Sequence, residues 1–179
     1  MDAQNVILVD HFDNQIGIME KMQVHKTGLL HRAFSVFVFN EKGELLLQKR
    51  AMSKYHSPGL WTNTCCSHPS PGEDNLTAAN RRLQEEMGMQ CTLTKAFDFI
   101  YHAHLENNLI EHEFDHVYFG RSNANPRVNS EEVCDWKWMP LYDVFVDVQM
   151  YSEKYTEWFK IALPNVMDEF KLRLTSWVL

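Results

Sequence analysis

The residues of this chain that could do chemistry are its histidines and a pair of neighbouring glutamates. The chain has nine histidines, and three of them, His25, His31 and His68, are of interest as metal ligands. Glu111 and Glu113 are two residues apart in a predicted β-strand, so both side chains should point to the same face. Two carboxylates on one face raise each other's pKa unless a cation lies between them. Three imidazoles and two carboxylates would together make a good five-ligand site for a divalent transition metal.

From spacing alone, however, a simpler interpretation is favoured. Scattered histidines are usually surface residues, and the two glutamates could form the solvated face of an edge strand. No local pattern links His25 to Glu111. Four other histidines could equally be chosen as ligands: His102, His104, His112 and His116.

A charged segment that ends at Gly88 is the second group of interest. Helical spacing places two arginines four residues before two glutamates, an arrangement that forms weak surface ion pairs. The pairs are Arg81 with Glu85 and Arg82 with Glu86. An exposed, charged helix is the usual explanation of such a segment.

The strand–loop–helix context of this segment resembles the signature of the Nudix family, which holds Mg²⁺ against a diphosphate. The signature is incomplete here, because Ser67 stands at its first glycine and Arg82 replaces a glutamate that serves the metals of hydrolytic members. The residues that match it are Glu73, Arg81, Glu85, Glu86 and Gly88. The resemblance implies a Nudix-like fold, while the missing glutamate argues against diphosphate hydrolysis.

The composition limits the partners that the chain can bind. Its 179 residues are 45% hydrophobic, which suits one globular domain with a substantial core. Lys+Arg 17 against Asp+Glu 24 give a net charge of −7. This acidic balance argues against binding to nucleic acid. An anionic substrate would therefore need a local cationic pocket or a metal.

The cysteines and the N-terminus predict a cytoplasmic protein. Two of the four cysteines, Cys65 and Cys66, are sequence neighbours, and no Cys-x-x-Cys pair suggests a zinc ribbon. The N-terminus lacks the basic start and the apolar run of a signal peptide, and no apolar stretch is long enough to cross a bilayer. We therefore expect reduced thiols and no contact with a membrane.

The pattern of apolar residues and turns predicts the elements that must position these side chains. Strands are expected at residues 6–9, 16–22, 33–39, 44–49, 61–66, 91–104, 110–119 and 133–139. A helix should begin at Asp74 or Asn75 and end near Met87, with Gly88 as its C-terminal cap. The last forty residues should be helical, with one apolar face made of Tyr155, Trp158, Phe159, Ala162, Val166, Phe170 and Leu174.

These elements predict an α+β fold in which a mixed β-sheet is sandwiched between helices, Nudix-like and in a single domain over residues 1–179. The Nudix core would span about 30–162, and a helical C-terminal segment about 140–179.

Six segments that occur in one order resemble type I isopentenyl diphosphate isomerases. They are residues 25 with 31–35, 48–54, 57–61, 62–69, 111–113 and 151–159. The resemblance covers nearly the whole chain, from residue 20 to the region of Trp158. Six motifs in register are far more specific than an isolated Nudix signature.

By this resemblance, Cys66 is the catalytic cysteine, because it precedes a His-Pro pair by two residues. Cys65 would be the candidate if the register were shifted by one. Glu113 is implied to be the second catalytic residue, and Tyr101 to hydrogen-bond the catalytic carboxylate. Trp158 corresponds to an aromatic residue beside the reacting carbons.

The same resemblance implies the ligands of the metals and of the substrate. One divalent ion, Mn, Mg or Zn, would be held by His25, His31, His68, Glu111 and Glu113. Glu86 would hold Mg²⁺ on the substrate diphosphate, whose cationic contacts would be Lys21, Arg50, Lys54 and Arg82. The implied partner is a small-molecule diphosphate, with no nucleic acid and no membrane, and the chain would be a monomer or a weak homodimer.

The implied activity is that of an isopentenyl-diphosphate delta-isomerase of isoprenoid biosynthesis. The 1,3-allylic rearrangement of isopentenyl to dimethylallyl diphosphate adds one proton and removes another through a carbocation-like intermediate. It needs an acid and a base on opposite faces and a site without water. Cys66 and Glu113 would be the acid–base pair, and Trp158 would offer its π-face to the cation.

Two other functions are compatible with parts of the sequence. A Nudix diphosphohydrolase is supported by Glu85 and Glu86 and opposed by Arg82. A non-catalytic metal-binding scaffold would bind metal without turnover, and it would leave the pairing of Cys66 with Glu113 unexplained.

Overall fold

The computed structural model describes residues 4–177, with side chains up to Arg173. Its elements follow in chain order: β1 (Asn5–Val9), β2 (Gln15–Glu20), α1 (Lys21–Thr27), β3 (His31–Phe39), β4 (Glu44–Arg50), β5 (Trp61–Thr62), β6 (Cys65–Ser67), α2 (Asn75–Met87), β7 (Leu93–His104), β8 (Ile110–Arg121), β9 (Val133–Pro140), α3 (Leu141–Met150) and α4 (Glu157–Trp177). Short 3₁₀ turns lie at Glu106–Asn108 and Ser152–Lys154.

Strand β3 is the centre of one mixed sheet that contains the nine strands of the described residues. It runs parallel to β8 along its full length, and the register places His31 beside Glu113. On its other edge, β3 pairs antiparallel with β6. The sheet continues from β8 to β7, and from β3 through β4 to β5 and β9.

Helices cover both faces of β3, because its side chains alternate between them. Phe34, Val36 and Val38 pack on one side with the apolar face of α2. Phe37 and Phe39 pack on the other side with α3 and α4. A strand buried on both faces is expected to be apolar almost throughout. The predicted α+β fold, a mixed sheet between helices, is confirmed.

Helix α2 begins and ends where the sequence predicts. The carboxylate of Asp74 accepts hydrogen bonds from the backbone N–H groups of Leu76 and Thr77, so Asp74 and not Asn75 is the N-terminal cap. Gly88 ends the helix with φ 60°, a left-handed conformation that glycine adopts at little cost.

The predicted strand over residues 16–22 is wrong at its end. Strand β2 ends at Glu20, and the helix α1 begins at Lys21. The carboxylate of Glu20 accepts hydrogen bonds from the backbone N–H groups of Met22 and Gln23, and this cap turns the chain into the helix. Because Lys21 and His25 are four residues apart, α1 carries both side chains on one face.

The predicted strand over residues 61–66 is two short strands in the structure. Strand β5 pairs with β4, whereas β6 pairs with β3. The residues between them stabilise this change of partner. The side-chain amide of Asn63 donates to the carbonyls of Val36 and Cys65. The hydroxyl of Thr64 donates to the carbonyl of Leu46.

The C-terminal helical region buries the apolar face that the sequence predicts. Its side chains are at most 8% exposed: Tyr155, Trp158, Phe159, Ala162, Val166 and Phe170. The side chain of Leu174 lies outside the described part of the chain. Within residues 4–177, no helix combines the length and the apolar character needed to cross a membrane.

Leu83 offers a test of the packing between α2 and β3. Its side chain is 0% exposed, whereas that of Leu76 on the same helix is 41% exposed. We expect Leu83→Ala to lower the free energy of unfolding by about 2–5 kcal/mol, because it leaves a cavity in the core. Leu76→Ala should lower it by less than about 0.5 kcal/mol, as measured by chemical denaturation. Equal losses in the two variants would contradict the buried face assigned to α2.

Candidate active site

A cavity of about 450 Å³ lies where the N-terminal ends of α1, β8 and α4 meet β6 and the end of β4. Most residues singled out from the sequence line it: Lys21, Arg50, Lys54, Cys66, His68, Arg82, Glu86, Tyr101, Glu111, Glu113 and Trp158. His25 and His31 are fully buried and do not belong to its wall. Residues far apart in the sequence therefore meet at one place.

Three histidines and one glutamate form a buried cluster beside the cavity, here called the His/Glu cluster: His25, His31, His68 and Glu113. Parallel pairing of β3 with β8 brings His31 next to Glu113. His68 follows β6 on the other edge of β3, and His25 comes from α1. The fold thus explains how residues with no local link in the sequence come together.

One potential ligand atom from each member of the His/Glu cluster lies within 4.8 Å of all the others. Nε2 of His68 is 2.9 Å from Oε1 of Glu113 and 3.2 Å from Nε2 of His31. Nε2 of His31 is 3.5 Å from the same carboxylate oxygen. Nitrogen and oxygen atoms so close together are electrostatically favourable around a shared cation.

Two imidazoles of the His/Glu cluster, those of His25 and His68, are kept neutral by burial, as metal binding requires. Burial lowers the pKa of His25 to about 2 and that of His68 to about 4. Nδ1 of His31 is 2.9 Å from the carbonyl oxygen of Leu29. Since a carbonyl only accepts, Nδ1 carries a proton, and Nε2 is the nitrogen that faces the other members of the cluster. The donor set therefore fits a divalent metal ion.

Glu111 lies beside this cluster but is joined to it through Tyr101. The Tyr101 hydroxyl oxygen is 2.8 Å from Oε2 of Glu111 and 2.6 Å from Oε2 of Glu113. Burial, followed by the negative charge of Glu113, raises the pKa of Glu111. Burial also opposes ionisation of Glu113, but its contacts with His31 and His68 hold its pKa well below the usual value.

The opposite pKa shifts of Glu111 and Glu113 explain how the single hydroxyl of Tyr101 can hydrogen-bond to both side chains. A hydroxyl has one proton, so Tyr101 cannot donate to two ionised carboxylates at once. A protonated Glu111 can donate to the Tyr101 oxygen, which then donates to the ionised Glu113. The three side chains form a continuous hydrogen-bonded chain that ends at the His/Glu cluster.

The two neighbouring cysteines lie on opposite sides of β6. Cys66 lines the cavity, whereas Cys65 is fully buried in the core that contains α2. The alternation of side chains along a strand accounts for this difference. Burial raises the pKa of the Cys66 thiol, so it keeps its proton at neutral pH.

Glu86 and Arg82 are already paired with each other at one side of the cavity. Nη2 of Arg82 is 2.6 Å from Oε1 of Glu86, and Nη1 is 2.8 Å from Oε2 of Glu85. The side-chain amide of Gln48 donates to the other oxygen of Glu86 at 3.0 Å. Gln48 belongs to the resembling segment 48–54, but no role was predicted for it.

The remaining cationic side chains differ in their pairing. Lys54 forms an ion pair with Glu132. Arg50 donates to the backbone carbonyls of His56 and Ser57 and forms no ion pair with a carboxylate among the described residues. Burial lowers the pKa of Lys21, whose amine also lines the cavity. Lys21 and Arg50 are thus the cations best placed to meet an anion.

Trp158 forms an aromatic wall of the cavity and is only 3% exposed. The guanidinium carbon of Arg50 lies 5.1 Å from the centre of its ring, and the ring of His56 meets it edge-on at 5.6 Å. Trp158 also belongs to the apolar core that contains α3 and α4, so it contacts the core as well as the cavity.

Sequence reasoning missed Tyr55 and His56, which follow Lys54 directly and also line the cavity. The Tyr55 oxygen is 3.0 Å from Nδ1 of His25, and Nε2 of His56 is 3.7 Å from Oε1 of Glu111. Their position in the sequence was the one available indication, because they lie between the segments 48–54 and 57–61 that resemble the isomerase family.

The other candidate histidines lie away from the His/Glu cluster. His102 and His104 are exposed on β7. Nδ1 of His112 is 3.0 Å from the carbonyl oxygen of Gly28, and Nε2 of His116 is 3.0 Å from Asp13. The spacing of the histidines in the sequence could not show which of them meet in the His/Glu cluster.

Known proteins resemble this chain over most of its length, and three of them illustrate the likeness. Residues 29–159 match the family model for the NUDIX domain. The chain is 52% identical over 163 residues to isopentenyl-diphosphate Delta-isomerase 2 of Aromatoleum aromaticum, covering 91% of this chain and 86% of the relative. It is 55% identical over 155 residues to the protein of that name from Photorhabdus laumondii, covering 87% and 88%. Identity to isopentenyl-diphosphate Delta-isomerase of Pectobacterium atrosepticum is 47%, covering 94% of each chain.

Solved structures with similar folds are more distant in sequence. DR0079 from Deinococcus radiodurans superposes with a TM-score of 0.76, covering 90% of this chain and 98% of that chain at 18% identity. A MutT protein from Methanosarcina mazei gives a TM-score of 0.64 at 19% identity. At these identities the likeness extends to the fold alone.

The His/Glu cluster leads to a prediction for metal binding. We expect the purified chain to bind a divalent metal ion, and His31→Ala to weaken that binding at least about tenfold because one imidazole ligand is lost. The matched control is His104→Ala, which removes an exposed histidine and should bind like the wild type. Elemental analysis and competition with a chelator measure both. Full affinity in His31→Ala would contradict the cluster as a metal site.

Proposed function

The chain belongs to the isopentenyl-diphosphate Delta-isomerase family of NUDIX-domain proteins, and we propose that Cys66 and Glu113 carry out its two proton transfers. It is an isomerase of isoprenoid biosynthesis that interconverts isopentenyl and dimethylallyl diphosphate. The observation that carries the proposal is that a protonated thiol and an ionised carboxylate line the same cavity.

The reaction requires this combination of protonation states. Moving the double bond adds a proton to the terminal methylene carbon and removes one from the CH₂ on the other side of the branched alkene carbon. One group must therefore hold a proton when the substrate binds, and the other must be able to accept one. Burial keeps the proton on Cys66, while the neighbouring histidines keep Glu113 ionised. In the reverse reaction the two groups exchange roles.

The chain formed by Glu111, Tyr101 and Glu113 supports the second of these roles. Because Glu111 already holds a proton, Tyr101 donates to Glu113, which stays the carboxylate able to accept a proton from the substrate. The hydroxyl of Tyr101 also fixes the orientation of the Glu113 carboxylate towards the cavity. A fixed orientation matters because proton transfer to or from carbon requires close approach and alignment.

We propose that the His/Glu cluster holds one divalent ion, Mn²⁺, Mg²⁺ or Zn²⁺. Glu111, the fifth ligand expected from the sequence, lies beside the cluster and would have to lose its proton to join it. Bound there, such an ion supplies positive charge that stabilises the ionised Glu113. Neutral imidazoles from His25 and His68 meet the requirement for lone pairs, and His31 contributes a third ring nitrogen to the cluster. The mixture of imidazole and carboxylate ligands suits all three metals.

The diphosphate is proposed to lie near Lys21, Arg50, Lys54 and Arg82, with Mg²⁺ held through Glu86. These four cations face five carboxylates in the cavity wall: Glu86, Glu111, Glu113, Glu131 and Glu132. The wall is therefore not cationic on balance, and a diphosphate adds further negative charge. A divalent ion that enters with the substrate offsets this repulsion, which supports Mg²⁺ as part of the bound substrate.

Trp158 is proposed to stabilise the carbocation-like intermediate. A cation over a desolvated indole gains about 2 kcal/mol, which corresponds to roughly 30-fold in rate. The contribution is too small to carry the reaction alone. Burial of the ring also keeps water from the reactive carbons, which would otherwise trap the cation.

Several further expectations stay predictions. They are the extent of the domain over residues 1–179 with its core at about 30–162, the monomeric or weakly dimeric state, the lack of nucleic-acid and membrane partners, and the cytoplasmic location.

Incubation with isopentenyl diphosphate in deuterated water tests the activity directly. Because protons are exchanged at carbon, we expect deuterium in the carbon skeleton and an intact diphosphate, as read by mass spectrometry and phosphorus NMR. Release of inorganic phosphate without exchange at carbon would favour the hydrolase instead. Stoichiometric metal with neither reaction would favour the scaffold.

Cys66→Ala tests the assignment of the thiol. Removing one member of an acid–base pair typically lowers the rate by about 10²–10⁴-fold, and we expect a loss in this range. Cys91→Ala is the matched control, because Cys91 lies outside the cavity wall, and its turnover should equal that of the wild type. Near-normal turnover in Cys66→Ala would remove the thiol from the mechanism.

A further inference from the structure

The segment that joins β4 to β5 carries a tyrosine for which the proposed reaction has no role. The hydroxyl oxygen of Tyr55 lies 3.0 Å from Nδ1 of His25. The two rings are stacked, with centres 6.1 Å apart and an angle of 29° between their planes. Tyr55 therefore contacts a member of the His/Glu cluster at its Nδ1 atom.

His25 obtains from a side chain the contact that His31 obtains from the backbone. It comes from the short helix α1, whereas His31 lies within the paired strand β3. The Nδ1 atom of His31 is held by the backbone carbonyl of Leu29. The backbone provides no corresponding contact for Nδ1 of His25 in the described residues, and the Tyr55 side chain takes that place.

The direction of this hydrogen bond determines whether His25 can bind a metal. A neutral imidazole carries its proton on one nitrogen and a lone pair on the other. If the Tyr55 oxygen accepts the proton of Nδ1, the lone pair lies on Nε2. That Nε2 atom is buried and has no hydrogen-bond partner among the described residues, which is expected of a ligand atom kept for an ion.

We propose that Tyr55 is a positioning residue of the metal site, whose hydroxyl accepts the Nδ1 proton of His25 and so directs the Nε2 lone pair into the His/Glu cluster. This inference rests on the metal site of the proposed function. Hydrogen bonds of this kind fix both the protonated nitrogen and the orientation of a ligating imidazole.

Tyr55 is held in place by contacts that do not involve a metal. The guanidinium of Arg50 donates to the carbonyls of His56 and Ser57, immediately after Tyr55. The backbone N–H of Ser57 donates to the carboxylate of Glu106, on the turn between β7 and β8. The ion pair of Lys54 with Glu132 anchors the segment on the other side of Tyr55. Loss of the Tyr55 hydroxyl alone should therefore leave its path unchanged.

The test compares metal affinity in variants that differ by one oxygen atom. We expect Tyr55→Phe to bind Zn²⁺ about 10–100-fold more weakly than the wild type, measured on metal-free protein by competition with a chromophoric chelator. Tyr142→Phe is the matched control, because Tyr142 is 69% exposed, and its affinity should be unchanged. The absorption bands of the Co²⁺-loaded protein should shift in Tyr55→Phe only.

A double-variant cycle separates positioning from a general effect on the fold. Without His25, Tyr55 has no imidazole to orient, so adding Tyr55→Phe to His25→Ala should not weaken Zn²⁺ binding further. Equal and independent losses in both backgrounds, or wild-type affinity in Tyr55→Phe, would overturn this inference while leaving the metal site intact. A wild-type protein that binds no divalent metal would overturn both.

Discussion

Desolvation of titratable groups is the constraint on which this structure depends. Burial lowers the pKa of His25 and His68 and raises that of Glu111, so each of these groups is driven towards its neutral form. Glu113 stays ionised against this tendency only because His31 and His68 adjoin it. The protonation states that the chemistry needs are therefore properties of the assembled site, and no residue has them alone.

One strand supplies both the stability of the fold and the precision of the site. The apolar part of β3, from Phe34 to Phe39, is packed between helices on its two faces. Its first residue, His31, extends from this rigid core into the His/Glu cluster, and its neighbours β6 and β8 contribute the residues on either side. Ligands held by paired strands lose little freedom when an ion binds.

The sequence predicted the sheet and α2 because their signals are local. Apolar runs, turns and the capping residues Asp74 and Gly88 act within a few positions. It missed α1, which is short and capped by a glutamate, and it merged β5 with β6 because the change of partner at Asn63 depends on distant carbonyls. Family resemblance could identify candidate site residues. The contacts of Tyr55 with His25 and of His56 with Glu111 could not be predicted, because they join residues far apart in the sequence.

The opposite orientations of Cys65 and Cys66 bear on how this enzyme responds to oxidants. Formation of a disulfide between sequence neighbours requires both sulfur atoms to turn to the same side of the backbone, and β6 cannot do this while it stays paired with β3. Cys65 is consequently no resolving thiol for its neighbour. An oxidised Cys66 depends on an external reductant for its recovery.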